Sequence, residues 1–208
     1  MAETCALKIK NIGKRFGRTI LFRDISLEMN SGDVVAITGW NGSGKSTLLR
    51  IIAGLGRATI GKIEFYRNDV LQTEFDRRHF LGLVAPELNL YDELSARENL
   101  AFLMQVRGLQ KDRQAIDHLL QHVGLAGWED ALYGIYSSGM KQRLKLTQAL
   151  LHSPPLLLLD EPFSNLDTKG IAVVDEIIKK HRQRGMIIIA SNEQREIAYA
   201  DRILNLSE

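Results

Sequence analysis

The amino-acid sequence predicts an α/β fold built around a parallel β-sheet. Three short apolar runs have no polar face, which is typical of strands buried on both sides of such a sheet; they are Val34–Thr38, Leu156–Leu159 and Met186–Ala190. Segments with helical periodicity separate the runs, as the crossovers of a parallel sheet require. A glycine-rich segment follows the first run and precedes a helical pattern, so a doubly wound core is expected.

Composition narrows the class of protein. The 208 residues include 27 Lys and Arg against 25 Asp and Glu, a net charge of +2 that does not favour a nucleic-acid partner. The single cysteine, Cys5, excludes an internal disulfide and a CxxC zinc site. The N-terminal segment has no apolar signal-peptide core, and no apolar run approaches the roughly 20 residues that span a bilayer. We therefore expect a cytoplasmic protein.

Two segments near the N-terminus and three in the middle complete the predicted architecture. Leu7–Ile12 and Ile25–Met29 alternate apolar and polar residues, as half-buried strands do. Three later segments place apolar residues on one helix face; they are Ser95–Val106, Lys111–Val123 and Ser138–Leu151. We predict one domain over residues 1–208, with a core at 1–86 and 153–208 and an inserted helical subdomain at 87–152.

The glycine-rich segment matches the phosphate-loop pattern G-x-x-x-x-G-K-[ST] between a strand and the predicted helix Thr47–Ala53. Its glycines let backbone N–H groups surround an anion at a helix N-terminus. Lys45 is predicted to bridge the β- and γ-phosphates, and the Ser46 hydroxyl to ligate Mg²⁺. The alternative is a glycine-rich turn with an incidental lysine. The predicted nucleotide contacts here are Gly39, Asn41, Gly42, Ser43, Gly44, Lys45, Ser46 and Thr47.

Two carboxylates end the second apolar run, at the sheet edge where α/β folds bind ligands. Asp160 is predicted to hold Mg²⁺ through water, and Glu161 to act as the general base toward the attacking water. The alternative is a pair of helix N-cap acids after a core strand.

Between these motifs, Tyr136–Leu144 (YSSGMKQRL) resembles the L-S-G-G-Q signature of ABC (ATP-binding cassette) proteins, at the family's spacing from the carboxylate strand. The resemblance extends over nearly the whole chain. Phe16 falls at the aromatic position that stacks on adenine, Asp167 in the D-loop, and Ala198–Leu206 in the C-terminal strand region. The implied fold is a P-loop NTPase core with a parallel sheet, an N-terminal antiparallel β layer and an inserted helical lobe.

The resemblance also implies ATP and Mg²⁺ as ligands and a second cassette, expected to be an identical copy, as partner. In the family, two cassettes close head to tail, so that each ATP lies between one phosphate loop and the partner's signature. Here Ser137 would donate its hydroxyl and Gly139 its N–H to the opposite γ-phosphate, with Ser138 opening the helix whose positive end points there. The alternative is an ordinary N-capped helix start.

Three departures from the family pattern affect the expected rate. Glu87 occupies the Q-loop, where a glutamine normally contacts Mg²⁺ and the attacking water; we predict that its carboxylate ligates Mg²⁺, although its charge adds to that of the γ-phosphate. Asn192 replaces the switch histidine and cannot carry positive charge. In the signature, Ser138 and Met140 replace a glycine and the glutamine. We expect catalytic roles for Glu161, Glu87 and Asn192, and slower turnover than a consensus cassette.

The implied function is that of an ATPase subunit that energises transport through a separate integral membrane permease, at the cytoplasmic face of the membrane. An apolar contact surface in a groove would receive the permease; it comprises Leu88, Leu90, Tyr91, Leu94 and Phe102. The alternative is that these residues only close the core of the helical lobe. The short chain and Asn192 are similar to small exporter cassettes, including those of the cytochrome c maturation haem-exporter type.

The alternative is a non-transport ABC ATPase of DNA repair or translation. Repair types insert long coiled coils and translation types carry two cassettes, and neither feature occurs in these 208 residues. A small GTPase is disfavoured because no N-K-x-D motif follows the phosphate loop. Recovery with an integral membrane protein would support transport, whereas recovery with ribosomes or DNA would support the alternative.

If Asn192 slows turnover, Asn192→His should raise the steady-state ATPase rate of the assembled complex, because histidine reaches further and can carry charge. Phosphate release under saturating ATP measures the effect. An unchanged or lower rate would remove Asn192 as a cause of slow turnover.

Overall fold

The computed structural model describes residues 4–110 and 112–207. Residues 1–3 and 208, at the ends of the predicted domain, and Lys111, the predicted start of a helix, lie outside the described part. Within it, no helix is both long and apolar enough to cross a membrane.

An antiparallel sheet forms the first layer of the described chain, in the order β2-β1-β4-β5. Its strands are β1 (Cys5–Phe16), β2 (Thr19–Asn30), β4 (Ile60–Arg67) and β5 (Val70–Leu71). Alternate residues of β1 and β2 are buried, including Leu7, Ile9, Ile12, Ile25, Leu27 and Met29. The two predicted half-buried strands are thus confirmed, and both extend beyond their predicted ends.

A parallel sheet in the order β6-β7-β8-β3-β9 forms the second layer of the described residues. Its strands are β3 (Val34–Thr38), β6 (Leu81–Val84), β7 (Leu156–Asp160), β8 (Met186–Ala190) and β9 (Arg202–Asn205). The three predicted apolar strands occupy its centre, which confirms the α/β fold with a parallel core and an N-terminal antiparallel layer.

The helices follow the sheet strands as crossovers or lie in the segment between β6 and β7. They are α1 (Lys45–Ile52), α2 (Glu74–Arg77), α3 (Ala96–Val106), α4 (Arg113–His122), α5 (Ser138–Leu150), α6 (Thr168–Arg182) and α7 (Gln194–Ile197). Ser95 and Glu98 form the predicted capping box at the start of α3. Helices α3 to α5 fall within residues 87–152, the predicted helical subdomain, whose division from the core stays a prediction.

Successive residues of each central strand enter different cores. Leu156 and Leu158 of β7 pack toward the antiparallel sheet and α1, whereas Leu157 and Leu159 pack toward α3 to α6. Because both faces of β7 are covered, an apolar side chain stabilises the fold at every position, and no polar face develops in the sequence.

Strand β6 is absent from the sequence prediction because its residues, Leu-Gly-Leu-Val, form too short a run to be distinguished by pattern. Its glycine has a tertiary cause. A Cβ at Gly82 would lie 2.3 Å from the carbonyl oxygen of Ala149, so α5 packs directly against the strand backbone.

A buried amide fastens the loop that leads from β6 into α3. Asn99 is fully buried; its Oδ1 accepts from the Tyr91 N–H at 2.9 Å and its Nδ2 donates to the Tyr91 carbonyl at 3.0 Å. The same Nδ2 lies 3.2 Å from the Leu94 carbonyl and 3.0 Å from the Ser95 carbonyl. The side chain thus pairs the Tyr91 N–H, which has no other hydrogen bond among the described residues, and gives a second donor to three carbonyls that already accept from backbone N–H groups.

We expect Asn99→Ala to lower the free energy of unfolding by ~1–3 kcal/mol, because it leaves the Tyr91 N–H without a partner and removes a fully buried side chain. Urea unfolding with an unchanged m-value measures the loss. Asn89, an exposed asparagine of the same loop, provides the control, since Asn89→Ala should change stability by less than ~0.5 kcal/mol. Equal effects of the two substitutions would contradict this role of Asn99.

Candidate nucleotide-binding site

The phosphate-loop segment wraps tightly between β3 and α1. Gly39 and Gly44 have φ angles of +146° and +101°, a region that L side chains rarely adopt. A Cβ at Gly44 would lie 2.7 Å from the Leu21 side chain, and one at Gly39 would lie 2.6 Å from Ser43 Oγ. Glycine fits both positions without displacing a neighbour, so the spacing of the motif is a steric requirement of this loop.

Lys45 is buried and folds back across the loop. Its Nζ donates to the carbonyl oxygens of Gly39 at 2.7 Å and Trp40 at 3.3 Å. Ser43 Oγ is also buried and has no hydrogen-bond partner among the described residues. A buried cation held by neutral carbonyls, beside an unpartnered hydroxyl at the start of α1, favours the binding of an anion.

Three adjacent strands bring their carboxyl ends to one edge of the parallel sheet. Strand β8 lies between β7 and β3, and the register places Asp160 beside Ala190 and Ala190 beside Ile37. The Glu161 N–H continues this alignment by donating to the Ala190 carbonyl at 3.0 Å. The acidic pair, the segment after β8 and the phosphate loop therefore meet at the edge where α/β sheets bind ligands.

Asp160 is almost completely buried, and its Oδ2 has no hydrogen-bond partner in the described part of the chain. Burial raises the pKa of this carboxyl, and the interaction with the Ser46 hydroxyl partly opposes the rise. The nearby charges of Glu161 and Glu87 raise the pKa further. The ionised carboxylate would be stabilised by a cation beside Ser46.

A cleft of about 500 Å³ opens at the same edge, lined in part by Asn41, Glu161 and Asn192. Glu161 is exposed and has a φ of +47°, an uncommon conformation for a residue other than glycine. The Gly39 N–H donates to Asn192 Oδ1 at 3.2 Å. Since Oδ1 is occupied in this way, the amide NH₂ of Asn192 is the group left to donate to a ligand.

Glu87 forms an ion pair with Arg50 of α1. Partial burial alone would raise the pKa of Glu87, but the hydrogen bond from Arg50 and the charge of Lys145 hold it below its usual value. Lys145 of α5 is buried and donates to the Pro86 carbonyl at 2.7 Å, which positions the backbone beside Glu87. The Q-loop carboxylate is thus ionised and balanced by two cations.

The donor set fits a magnesium nucleotide. The Ser46 hydroxyl and the unpartnered Asp160 oxygen are hard oxygen ligands, and Lys45 with the loop N–H groups suits phosphates. Over residues 4–110 and 112–207, no group of three or more His, Cys, Asp or Glu side chains could hold a metal alone. Mg²⁺ would be held by Ser46 directly and by Asp160 through water, with Glu87 as the third predicted metal residue, and water and substrate phosphate are its other common ligands.

The signature residues lie at the N-terminus of α5, on a different element from the phosphate loop. Ser137 is the N-cap and accepts from the Met140 N–H at 3.3 Å; Ser137 and Ser138 are exposed. No hydrogen bond connects them or Gly139 to the phosphate loop within the described residues. A Cβ at Gly139 would lie 2.9 Å from the Asn165 carbonyl oxygen, so the D-loop packs against this glycine.

Asp167 and Phe16 are the two remaining predicted nucleotide contacts. Asp167 is the N-cap of α6, where its Oδ1 accepts from the Gly170 N–H at 2.7 Å. Phe16 ends β1 with 59% of its surface exposed, and Lys14 Nζ lies 4.8 Å from its ring centroid. An exposed aromatic ring with a free face is able to stack on a base.

The model of the family described as "ABC transporter" matches residues 22–164. The chain belongs to the ABC transporter family. The cytochrome c biogenesis ATP-binding export protein CcmA of Vibrio cholerae is 37% identical over 188 residues, 90% of this chain and 91% of that protein. The lantibiotic transport ATP-binding protein SrtF of Streptococcus pyogenes is 36% identical over 89% of this chain and 79% of that protein.

Solved ABC structures share the fold. The ATP-binding subunit of an ABC transporter aligns with a TM-score of 0.85 and 26% identity, over 97% of this cassette and 85% of that chain. A dimeric ATP-binding cassette in a post-hydrolysis state with ADP and phosphate aligns with a TM-score of 0.83 and 26% identity, over 97% and 94% of the two chains.

The structure of this cassette places a buried acidic residue, Glu196, beside the cleft, and no sequence motif indicated it. Glu196 of α7 is 3% exposed, and its Oε1 accepts from the Phe163 N–H at 3.2 Å. Burial raises its pKa, which the hydrogen bond with Ser191 partly opposes. Glu196 thereby ties the chain after Glu161 to the chain before Asn192. Its position in a four-residue helix carries no sequence pattern that would have indicated this role.

We expect Asp160→Asn to raise the thermal midpoint of the nucleotide-free cassette by a few degrees, because an unpaired buried charge is removed. The same variant should lose the added stability that MgATP gives the parent, which is about 2.7 kcal/mol at 100 times the dissociation constant. Thermal melts with and without MgATP measure both effects. Asp69→Asn, an exposed change at a positive φ that asparagine also adopts, should leave both unchanged.

A lower midpoint for nucleotide-free Asp160→Asn, or full protection of this variant by MgATP, would contradict the assignment of Asp160 to the metal site.

Proposed function

We propose that this ABC cassette is an ATP-hydrolysing subunit that works as a head-to-tail dimer and energises transport through a separate membrane protein. The observation that carries the proposal is the convergence of the phosphate loop, the Asp160–Glu161 pair and Asn192 at the ends of three adjacent strands. Family membership supports ATP as the substrate.

The residues at this edge of the parallel sheet would have different roles in ATP hydrolysis. Lys45 and the loop N–H groups would hold the β- and γ-phosphates, and Mg²⁺ would be held by Ser46 directly and by Asp160 through water. When bound, Mg²⁺ neutralises phosphate charge and orients the phosphates. Glu161 accepts a proton from water as the water oxygen bonds to the γ-phosphorus and the bond to the bridging oxygen breaks, giving ADP and phosphate.

Asn192 and Glu87 adjust the charge beside the γ-phosphate. The Asn192 amide, held through Oδ1 by the Gly39 N–H, presents its NH₂ to a phosphate oxygen. Glu87 would face the metal with a charge that Arg50 already balances. The ion pair therefore reduces the repulsion between the Q-loop carboxylate and the γ-phosphate.

The dimer completes the site with Ser137, Ser138 and Gly139 of the second cassette. These residues stand at the positive end of a 13-residue helix, and the described part of the same chain gives them no hydrogen bond to its own phosphate loop. The dimeric cassette with ADP and phosphate, at 26% identity, supports a dimer, and the head-to-tail contact is part of the proposal. Asp167 and Phe16 would contact the nucleotide at the same interface and at the base.

A membrane permease would dock on the helical lobe, which places the cassette at the cytoplasmic face of a membrane. Tyr91 and Phe102 are 52% and 41% exposed, with ring centroids 5.4 Å apart in an edge-to-face pair. Aromatic anchors of this kind dominate interface energies. Leu90 is buried, so this member of the predicted groove packs in the lobe's own core.

The names of the relatives favour transport over DNA repair or translation. They are an export protein of cytochrome c biogenesis and a lantibiotic transport protein. The CcmA proteins match at 33–37% identity, including one from Mannheimia succiniciproducens at 33% over all of this chain and 97% of that protein. We therefore propose an export cassette of the cytochrome c biogenesis type.

Glu161→Gln is expected to lower kcat for ATP hydrolysis by at least ~100-fold, because the amide cannot accept the proton from water. ATP binding should persist, and light scattering after size-exclusion chromatography with ATP should show a stable dimer. Glu193→Gln is the matched control, since this exposed acid lines the same cleft without an assigned role.

Continued hydrolysis by Glu161→Gln at the parental rate would remove Glu161 as the general base. If the variant is inactive but stays monomeric with bound ATP, the general-base role of Glu161 would stand and the proposed dimer would be wrong.

A further inference from the structure

A second polar cleft, of about 380 Å³, lies away from the strand ends that form the nucleotide site. It is bounded by the C-terminal end of α1, the loop that follows it, β4 and α2. None of its lining residues belongs to the predicted nucleotide contacts.

Arg77 forms the floor of this cleft and is 6% exposed. One of its terminal nitrogens donates to the Ile63 carbonyl at 3.3 Å, whereas Nε is buried and has no hydrogen-bond partner among the described residues. A guanidinium stays charged in proteins, and a buried charge is costly unless it is paired. Burial lowers the pKa of Arg77, the nearby charge of Glu74 opposes this, and the charge of Arg78 adds to it.

Two acidic residues near Arg77, Glu74 and Glu64, are paired with other cations. Glu74 is the acidic residue in the cleft wall; its side chain is 62% exposed and lies 3.5 Å from Arg78. Glu64 of β4 is paired with Lys10 at 2.8 Å and Lys62 at 2.6 Å. No salt bridge to Arg77 occurs within residues 4–110 and 112–207. Its charge is thus left without a direct counter-ion.

The rest of the wall adds positive charge and hydrogen-bond donors. Arg57 and Lys62 line the cleft with Arg77 and Glu74, and the charge of Lys62 is also paired with Glu64. The backbone N–H groups of Gly56, Arg57 and Ala58 belong to the same wall and donate no hydrogen bond within the described chain. A planar guanidinium beside free N–H groups matches an oxyanion, which accepts two parallel hydrogen bonds from arginine.

We propose that this cleft binds a small oxyanion of the phosphate or carboxylate class, with Arg77 as its buried anchor and Arg57 at its entrance. The ligand supplies the counter-charge that the protein omits. The site is separate from the nucleotide site and does not depend on the proposed transport function.

Amide resonances of Gly56 and Gly61, which line the cleft, test the proposal in the full chain. Potassium phosphate and potassium acetate are titrated separately at constant ionic strength, with saturating MgADP so that the phosphate loop is occupied. We expect saturable shifts at both glycines. A tighter response to phosphate would identify the phosphate class, and a tighter response to acetate the carboxylate class.

Arg77→Met should weaken the affinity at least ~10-fold, since it removes charge-assisted hydrogen bonds. Arg78→Met is the matched control, because Arg78 is the adjacent exposed arginine. This variant should bind the anion with an affinity within ~2-fold of that of the parent. If Arg77→Met does not fold, as judged by circular dichroism, Arg57→Gln should weaken binding ~3-fold instead. The absence of a saturable shift with either anion, or equal affinities for the parent and the folded variant, would overturn the site.

Discussion

The backbone ladder that joins β7, β8 and β3 is the constraint on which the site depends. It places Asp160, Ala190 and Ile37 in one row, and the chain leaves all three strands at the same edge. A shift by one residue would turn each core side chain to the opposite face. Because both faces of these strands are buried, such a shift would disrupt two cores, and the positions of Asp160 and Glu161 follow from that packing.

The edge concentrates polar groups that the described residues do not satisfy. Asp160 Oδ2 and Ser43 Oγ are buried without partners, and Glu161 has a positive φ. Each feature costs folding free energy, and the surrounding apolar strands offset that cost. Under the proposed function, a magnesium nucleotide would give the two buried polar groups their partners, and the binding free energy would include that gain.

Contacts between loops link the edge to the rest of the cassette. The D-loop carbonyl of Asn165 packs on Gly139 at the start of α5, and Lys145 of the same helix holds the backbone before Glu87. Glu196 joins the segments that follow β7 and β8. Helix α5 therefore contacts both the D-loop and the segment beside the Q-loop. A movement of either segment would change the packing around the signature residues at the start of this helix.

Local sequence patterns were sufficient to predict those elements whose pattern has a single physical cause. Glycine spacing predicted the phosphate loop, continuous apolar runs predicted β3, β7 and β8, and the Ser95–Glu98 pair predicted the start of α3. The pairing of groups that lie far apart in the sequence is visible only in the folded structure. Arg50 forms an ion pair with Glu87, and the N–H groups of Gly39 and Phe163 donate to Asn192 and Glu196. These contacts join residues far apart in the chain, and their polar side chains would suit solvent equally well, so no local periodicity records them.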